Sequence, residues 1–461
     1  MTDNAPRPLH LVAFTMNSPG HVIHGVWRRP TARQAEFNDL DHWVRLAKLL
    51  ERGQFDAIFF GDIVGRNPPY RGDHRKIVEG GIQFPANDPS VLASALAYGT
   101  EHLGIAFTSS IVQEHPFNFA RRMSTLDHAT KGRIAWNIVT TPLVNAFRNF
   151  GFEGLVSHAE RYEWADEYVD VVYKLWEGSW DDDALVQDRA AGIHATYEKV
   201  HRIDHDGPRY RVEGPHLVSP SPQRTPLLFQ AGASEAGRNF AAKNAECVFI
   251  GAPTIDIAAR QTADVRARAA SFGRSPDDLK FFQWFHVVVG STEAEAQRKS
   301  DELDEWIDYD GNFSMWAGAA GIEIGSVDDL DRPVDTIKTE AVQSVLATIQ
   351  DAIPDRVATL RDVAELTTKF KRMVGTPEQI ADKFAAWQAA GVDGFNLLDA
   401  ELPASYEDFI DHVVPVLQDR GLAQREYRPG SLRHKLFGAG DRLPGTHPAA
   451  RYRGAFVSTG A

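Results

Sequence analysis

Cysteine is almost absent from this chain, which contains one, Cys247, in 461 residues. A single thiol excludes an intramolecular disulfide and a cluster of thiolate metal ligands. Cys247 lies in the apolar run AECVFIG, so we expect it to be a buried structural residue.

Excess positive charge, long apolar runs and a secretory leader are lacking as well. The net charge is −14 and the pI is about 5.6, which argues against nucleic acid or an anionic membrane as a partner. No run approaches the roughly 20 apolar residues of a membrane-spanning helix. The start, MTDNAPRPLH, has no apolar core. We therefore expect a globular cytoplasmic enzyme.

Several common cofactor and catalytic motifs are also missing. No G-x-G-x-x-G follows a predicted strand and no P-loop occurs, so nothing indicates a nicotinamide or ATP site. The H-E-x-x-H and G-x-S-x-G motifs are absent. His21 and His24 are three residues apart, but no carboxylate stands at a ligand spacing from them, and we expect no metal site.

What is present is an alternation of strands and helices. Short apolar runs predict eight strands, at residues 10–14, 55–60, 105–111, 134–139, 227–230, 247–250, 279–289 and 394–398. Amphipathic patterns predict helices at 34–53, 90–102, 116–131, 157–177, 235–244, 254–272, 376–391 and 406–421. This order predicts an α/β fold, a single (β/α)₈ TIM barrel over residues 1–424.

Three segments stand outside the regular alternation. Residues 180–225 and 290–375 interrupt it after the fourth and seventh strands, so we expect these insertions to cover the catalytic face. A hairpin is predicted around Asp206-Gly207. The basic tail over 425–461 is a candidate for a subunit contact.

The fourth strand, GRIAWNIVTT from Gly132 to Thr141, carries the first indication of a ligand site. Asn137 lies within its apolar run, where an amide needs hydrogen-bond partners. Thr140 and Thr141 follow at its carboxyl end, which is where α/β barrels bind ligands. The alternative is a core strand whose asparagine bonds a neighbouring backbone.

Two helix starts indicate an anion site. Gly232 and Ala233 allow close backbone approach, and Ser234 is the predicted N-cap of a helix whose free amides and dipole suit a phosphate. His158 and Tyr162 are four residues apart on one helix face. Each motif alone is equally explained by a capped helix with nothing bound; together they favour one phosphorylated cofactor.

An ordered set of motifs resembles a known family. GRIAWNIVTT, the run from Asn145 to Gly151, HAERY at 158–162, QAGASEAGRNFAA at 230–242 and GTPEQIADKFAAWQAAGVDGFNLL at 375–398 resemble the bacterial-luciferase-like flavin monooxygenases. The most similar branch is that of nitrilotriacetate monooxygenase component A, dibenzothiophene-sulfone monooxygenase and long-chain alkane monooxygenase. The resemblance extends from 16–30 to 405–422, nearly the whole chain.

This resemblance implies a cofactor and its partners. It implies FMN, bound as FMNH₂ that a separate NAD(P)H-dependent flavin reductase supplies, and O₂ activated as a flavin C4a-(hydro)peroxide. A homodimer or homotetramer is expected. The implied flavin contacts are Asp62, Thr108 and Asn137, and the implied contacts of the ribityl phosphate end are His158, Tyr162 and Ser234.

The same chemistry needs a closed, dry site with a proton donor or base. His21 and His24 are candidates because histidine titrates near neutral pH, and Asn137 is a third candidate catalytic residue beside the flavin ring. Surface histidines without function are the alternative. The predicted substrate pocket and lid consist of Phe14, Trp284, Phe285, His286, Trp306, Phe313 and Trp316, for which ordinary core packing is the alternative.

These expectations combine into a two-component monooxygenase acting on a small apolar or aromatic organic substrate, by hydroxylation or by C–S or C–N cleavage. The run Gln283 to His286 stands where the family often has a Pro-Gly turn, so no relative's substrate is transferred. One alternative is a deazaflavin (F420)-dependent hydride-transfer oxidoreductase on the same barrel. A second is a flavin-binding protein without turnover.

Overall fold

Eight parallel strands close into a barrel in the computed structural model, which describes residues 8–457 except 233, 321, 323, 338–345, 347–348, 351–352 and 370. The barrel strands are β1 His10–Met16, β2 Ala57–Gly61, β3 Gly104–Ser110, β4 Ile134–Val139, β5 Leu227–Ala231, β6 Cys247–Ile250, β7 Lys280–Val289 and β8 Gly394–Leu398. They pair in chain order, and β8 pairs with β1 to close the ring. The predicted (β/α)₈ barrel is confirmed.

A helix follows each barrel strand on the outside. The helices are α1 Leu40–Arg52, α2 Ala93–Gly99, α3 Pro116–Ala129, α4 His158–Tyr173, α5 Glu235–Asn244, α6 Ile255–Ser271, α7 Pro377–Ala389 and α8 at 404–419. The first is shorter than predicted, because Asp39 caps α1 and Gln34–Glu36 forms a separate 3₁₀ turn. The predicted start of α7 is confirmed, with Thr376 as N-cap and Pro377 in its first turn.

Alternation along the strands divides the core into two parts. Small inward side chains fill the lower barrel, among them Val12, Ala57, Ala106, Ala135 and the buried Cys247. Three phenylalanines pack above them with ring centroids 4.8 to 5.5 Å apart, namely Phe59, Phe229 and Phe249. The barrel interior is therefore a packed core, and space for a ligand lies at the carboxyl ends of the strands.

The carboxyl-terminal segment packs against the opposite end of the barrel. Leu432 and Leu436, on the helix Leu432–Phe437, join the inward apolar cluster. Arg433 between them is buried and pairs with the carboxylate of Glu246, 2.6 Å away. The tail thus covers the amino ends of the strands, and its place at a subunit contact stays a prediction.

The two interruptions contain additional elements. Between α4 and β5, His205–Asp206 pairs with Arg211–Val212, which confirms the hairpin around Asp206-Gly207. Between β7 and α7 lie the helices Glu293–Asp304, Tyr309–Ala320 and Leu360–Lys369. A further strand, Arg372–Gly375, pairs with residues 286–289 of β7 and was not predicted. Among the described helices, none has the length and apolar character needed to span a bilayer.

Candidate functional site

Ser234 lies at the centre of a polar cluster on the rim of the barrel mouth. Its Oγ accepts a hydrogen bond of 3.1 Å from the backbone N–H of Gly237, so it caps α5 as predicted. The same Oγ is 3.2 Å from Nε2 of His158, at the first position of α4. Tyr162, one turn further along α4, packs beside His158 with 5.1 Å between the ring centroids. The structure therefore brings together three of the predicted phosphate contacts.

Close backbone packing shapes the loop before α5. A Cβ on Gly232 would lie 2.7 Å from the Cα of Gly237, so only glycine fits there. Burial raises the pKa of the Tyr162 hydroxyl, and the nearby polar side chains of Gln230, on β5, and Thr140, directly after β4, partly offset this rise. Ala233, the remaining predicted contact in the loop, lies outside the described residues.

Asn137 faces the barrel interior, and only one of its two polar side-chain atoms has a hydrogen-bond partner among the described residues. Its Nδ2 donates a hydrogen bond of 2.9 Å to Oγ1 of Thr108, its direct neighbour on β3. Its Oδ1 is buried and has no hydrogen-bond partner among the described residues. Leaving a buried acceptor unpaired costs about 1–3 kcal/mol, so this oxygen favours a ligand that brings a donor.

Asp62 follows the last residue of β2 at the same mouth. Burial, reinforced by the nearby charge of Asp88, raises the pKa of its carboxyl to about 8. At neutral pH the group is therefore largely protonated and neutral, and it can donate a hydrogen bond.

His21 and His24 are buried, and the prediction that they titrate near neutral pH is wrong. Burial lowers the pKa of His21 to about 4 and that of His24 to about 3, so both are neutral at pH 7. The ring of His21 meets the edge of Phe14 at 4.3 Å. Neither ring nitrogen of His24 has a partner within the described part of the chain. Their lowered pKa values favour neutral imidazoles at pH 7, and the assignment of either histidine as the acid or base stays a prediction.

Some of the residues predicted to form the substrate pocket lie together in the structure. Trp284 and Trp316 line one small cavity of about 60 Å³, together with Met315, Val22 and Leu398. Phe14 lies at the barrel mouth, with its ring centroid 5.1 Å from Phe59 and 5.6 Å from Phe249. An apolar wall thus stands at the carboxyl ends of β1, β7 and β8.

Two further members of the predicted wall, Phe285 and His286, follow Trp284 on β7, where alternate residues face opposite ways. Phe285 faces outward, with its ring centroid 5.1 Å from Trp387 of α7, so its assignment to the pocket is wrong. His286 lies on the same face as Trp284, where β7 begins to pair with Arg372–Gly375, and it also lines a groove with Arg29 and Glu401. Its contact with a substrate stays a prediction.

Two predicted lid aromatics pack in separate apolar clusters. Trp306 packs with Val26 and Leu303, which supports the core-packing alternative for this residue. Phe313 is fully buried beside Trp316, at 5.6 Å between ring centroids. Phe313 therefore supports the cavity wall from behind.

Sequence reasoning missed two residues at the mouth. Asn396 is fully buried on β8, paired in register with Trp284, and neither its Oδ1 nor its Nδ2 has a partner among the described residues. The signal was available, since GFNLL places an amide in an apolar strand as the fourth strand does. Lys371 also borders the cavity of Trp284 and Trp316, and no motif marks it.

Comparison with known proteins shows the family to which this chain belongs. Residues 21–394 match the luciferase-like monooxygenase family, and the chain belongs to it. The chain is 44% identical over 450 residues to a long-chain alkane monooxygenase of Geobacillus thermodenitrificans strain NG80-2, covering 97% of this chain and 98% of that one. It is 43% identical over 452 residues to the dimethyl-sulfide monooxygenase of Hyphomicrobium sulfonivorans, covering 97% and 94%.

Further relatives bear on cofactor and partner. Nitrilotriacetate monooxygenase component A of Aminobacter aminovorans is 34% identical over 427 residues, covering 90% of this chain and 93% of that one. The crystal structure of DmoA from Hyphomicrobium sulfonivorans superposes with a TM-score of 0.92 at 42% identity, covering 98% and 97%. A riboflavin lyase solved with modified FMN and riboflavin gives a TM-score of 0.87 at 36% identity, covering 97% and 100%. The family is flavin-dependent.

The residues present fit an FMN molecule. An exposed polar cluster at a helix N-terminus suits its phosphate. An unpaired buried amide oxygen at Asn137 suits a donor on its ring system, and the aromatic groups of the mouth suit the ring faces.

Proposed function

We propose that the chain is the oxygenase component of a two-component monooxygenase that uses FMNH₂ and O₂. In this reaction one oxygen atom of O₂ enters a small organic substrate and the other leaves as water, while FMNH₂ becomes FMN. The alkane, sulfide and nitrilotriacetate monooxygenases among its relatives support this reaction type.

The observation that carries the proposal is the cluster of Ser234, His158 and Tyr162 on the rim, together with the unpaired buried oxygen of Asn137 inside the barrel. The helix N-terminus and the cluster bind the phosphate, and Asn137 orients the ring system. Asp62, protonated at neutral pH, offers a further donor to the flavin. FMN supplies the reaction with O₂ when it is bound.

The remaining residues of the mouth exclude water. Phe14 and Phe249 stack at the base of the mouth, and Trp284 and Trp316 stand above them. His21, neutral at pH 7, serves as a hydrogen-bonding group in the wall of the mouth. Excluding water from the mouth limits the release of oxygen as hydrogen peroxide before it reaches the substrate.

A separate NAD(P)H-dependent flavin reductase is the proposed partner. The relative named component A implies a second component, and the sequence offers no nicotinamide motif of its own. The homodimeric or homotetrameric state and the cytoplasmic location stay predictions.

The test is equilibrium binding followed by an oxygen balance. Under anaerobic conditions we expect FMNH₂ to bind more tightly than riboflavin, which lacks the phosphate, by at least about tenfold. With a flavin reductase and NAD(P)H, O₂ uptake is expected to need FMN. Tight binding of a deazaflavin instead, with hydride transfer that needs no O₂, would establish the oxidoreductase alternative.

A further inference from the structure

One ionisable group stands at the small cavity beside the barrel mouth. The cavity walls are apolar for the most part, with Trp284, Trp316, Met315 and Leu398 among them. Of the described residues that line it, Lys371 alone carries a charge. An ammonium at the edge of an apolar cavity is costly unless something compensates for its lost hydration.

Only partial compensation is present. Nζ of Lys371 donates hydrogen bonds to the carbonyl oxygens of Gly251 at 3.1 Å and Ala252 at 3.4 Å, and it lies 4.6 Å from the ring centroid of Trp284. No carboxylate lies within ion-pair distance of it in the described ranges of the chain. Its neighbour Arg372, by contrast, pairs with Asp304 at 2.6 Å.

The environment of Lys371 therefore favours an added anion. Burial lowers the pKa of its ammonium to about 8, which leaves the group mostly protonated at pH 7. A carboxylate or sulfonate oxygen would replace lost hydration with a charge-assisted hydrogen bond. The other polar side chains that line the cavity are Asn312 and Thr367, which are uncharged.

The volume of the cavity also limits the size of the ligand that it can hold. A volume of about 60 Å³ holds about four to six small groups, at ~10–15 Å³ for each water-sized group. A long alkyl chain does not fit within it.

Resting on the proposed function, we propose that the substrate has a short apolar body and one anionic group, and that Lys371 is the residue that selects for this anion. The apolar body lies against Trp284 and Trp316, and the anion binds the ammonium. This narrows the apolar or aromatic substrate expected from the sequence to a short monoanion, with carboxylate and sulfonate sharing the required chemistry.

The experiment measures binding by calorimetry and uses three probes, which are butanoate, propane-1-sulfonate and the uncharged 1-butanol. At pH 7 we expect both anions to bind at least about tenfold more tightly than 1-butanol. Lys371→Met should remove most of that preference. Lys383→Met is the matched control, because Lys383 is exposed and also donates to one backbone carbonyl, that of Val374. It should leave the preference unchanged.

A second measurement on the unaltered protein keeps the test valid if Lys371→Met does not fold. Between pH 7 and pH 9.5 the affinity for butanoate should fall by about tenfold as the ammonium loses its proton, while the affinity for 1-butanol stays constant. Equal binding of anion and alcohol at pH 7, or an anion preference that survives in Lys371→Met, would overturn the assignment of Lys371. FMNH₂ binding, titrated in the same samples, reports on the proposed function separately.

Discussion

The Oγ of Ser234 lies 3.2 Å from Nε2 of His158, although 76 residues separate them along the chain. The contact joins the N-terminus of α5 to the first turn of α4, and the ring of Tyr162 packs beside His158 with 5.1 Å between the ring centroids. Two helix starts that are unremarkable separately thus form one polar rim at the barrel mouth, open on its outer side because Ser234 and His158 are both exposed.

Removing this rim should weaken FMN binding while the fold survives. The double variant Ser234→Ala with Tyr162→Phe loses two hydroxyls at the phosphate, and we expect FMN affinity to fall by roughly tenfold or more. Fluorescence titration of FMN measures this. Thr292→Ala is the matched control, because Thr292 caps another helix by accepting from Glu295. Equal affinities in the double variant and the native chain would refute the phosphate assignment.

Replacing Asn137 should change flavin binding much more than stability. Asn137→Leu removes an unpaired buried oxygen, although it leaves Thr108 without its donor. We expect the free energy of unfolding of the apoprotein to change by less than about 1 kcal/mol, and flavin affinity to drop at least about fivefold. Chemical denaturation and flavin titration check the two halves. A large loss of stability with unchanged flavin affinity would show that Asn137 is a purely structural residue.

Much of the fold was predictable, since short apolar runs alternate with amphipathic helical patterns along the chain. Asn137 was recognisable because an amide inside GRIAWNIVTT demands partners, and Ser234 because N-caps follow local rules. Both signals are local in the chain, and local patterns are what a sequence displays most directly.

The errors concern features that depend on the assembled barrel. Phe285 was assigned to the pocket because the sequence does not show which face of β7 is inward. The sequence also does not show that β7 continues past the barrel to pair with Arg372–Gly375. His21 and His24 look like loop residues in the sequence, yet the fold buries both. Burial depends on distant segments, such as Asn312, which binds the backbone of His24.

The raised pKa of Asp62 should appear in the pH dependence of stability. Its folded pKa, about 8, exceeds the ordinary value of 3.8, so the folded state holds a proton that the unfolded chain releases. This group therefore lowers the free energy of unfolding as pH rises from about 4 to about 8, by at most about 1.4 kcal/mol per pH unit. Asp62→Asn should gain stability relative to the native chain between pH 6 and pH 8. If the free energies of unfolding of the variant and the native chain change equally with pH across that range, the raised pKa of Asp62 is contradicted.

The lowered pKa of His24 should have the opposite effect and reduce the free energy of unfolding as the pH falls below 7. Its folded pKa, about 3, lies below the ordinary value of 6.5, so the unfolded chain takes up a proton first as pH falls through 6.5. His24→Leu should avoid up to about 2 kcal/mol of the stability lost between pH 7 and pH 5. His194→Leu, at an exposed histidine, is the control. The idea fails if both variants follow the native pH dependence.

The central claim is that this barrel binds reduced flavin and shields its reaction with O₂. The most direct measurement mixes anaerobic protein and FMNH₂ with oxygenated buffer and follows flavin absorbance and released hydrogen peroxide. We expect the oxidised spectrum to return at least about tenfold more slowly than with free FMNH₂, and the delay to disappear in the Ser234→Ala, Tyr162→Phe variant. Reoxidation at the rate of free FMNH₂ with full peroxide release, with and without butanoate, would contradict the claim.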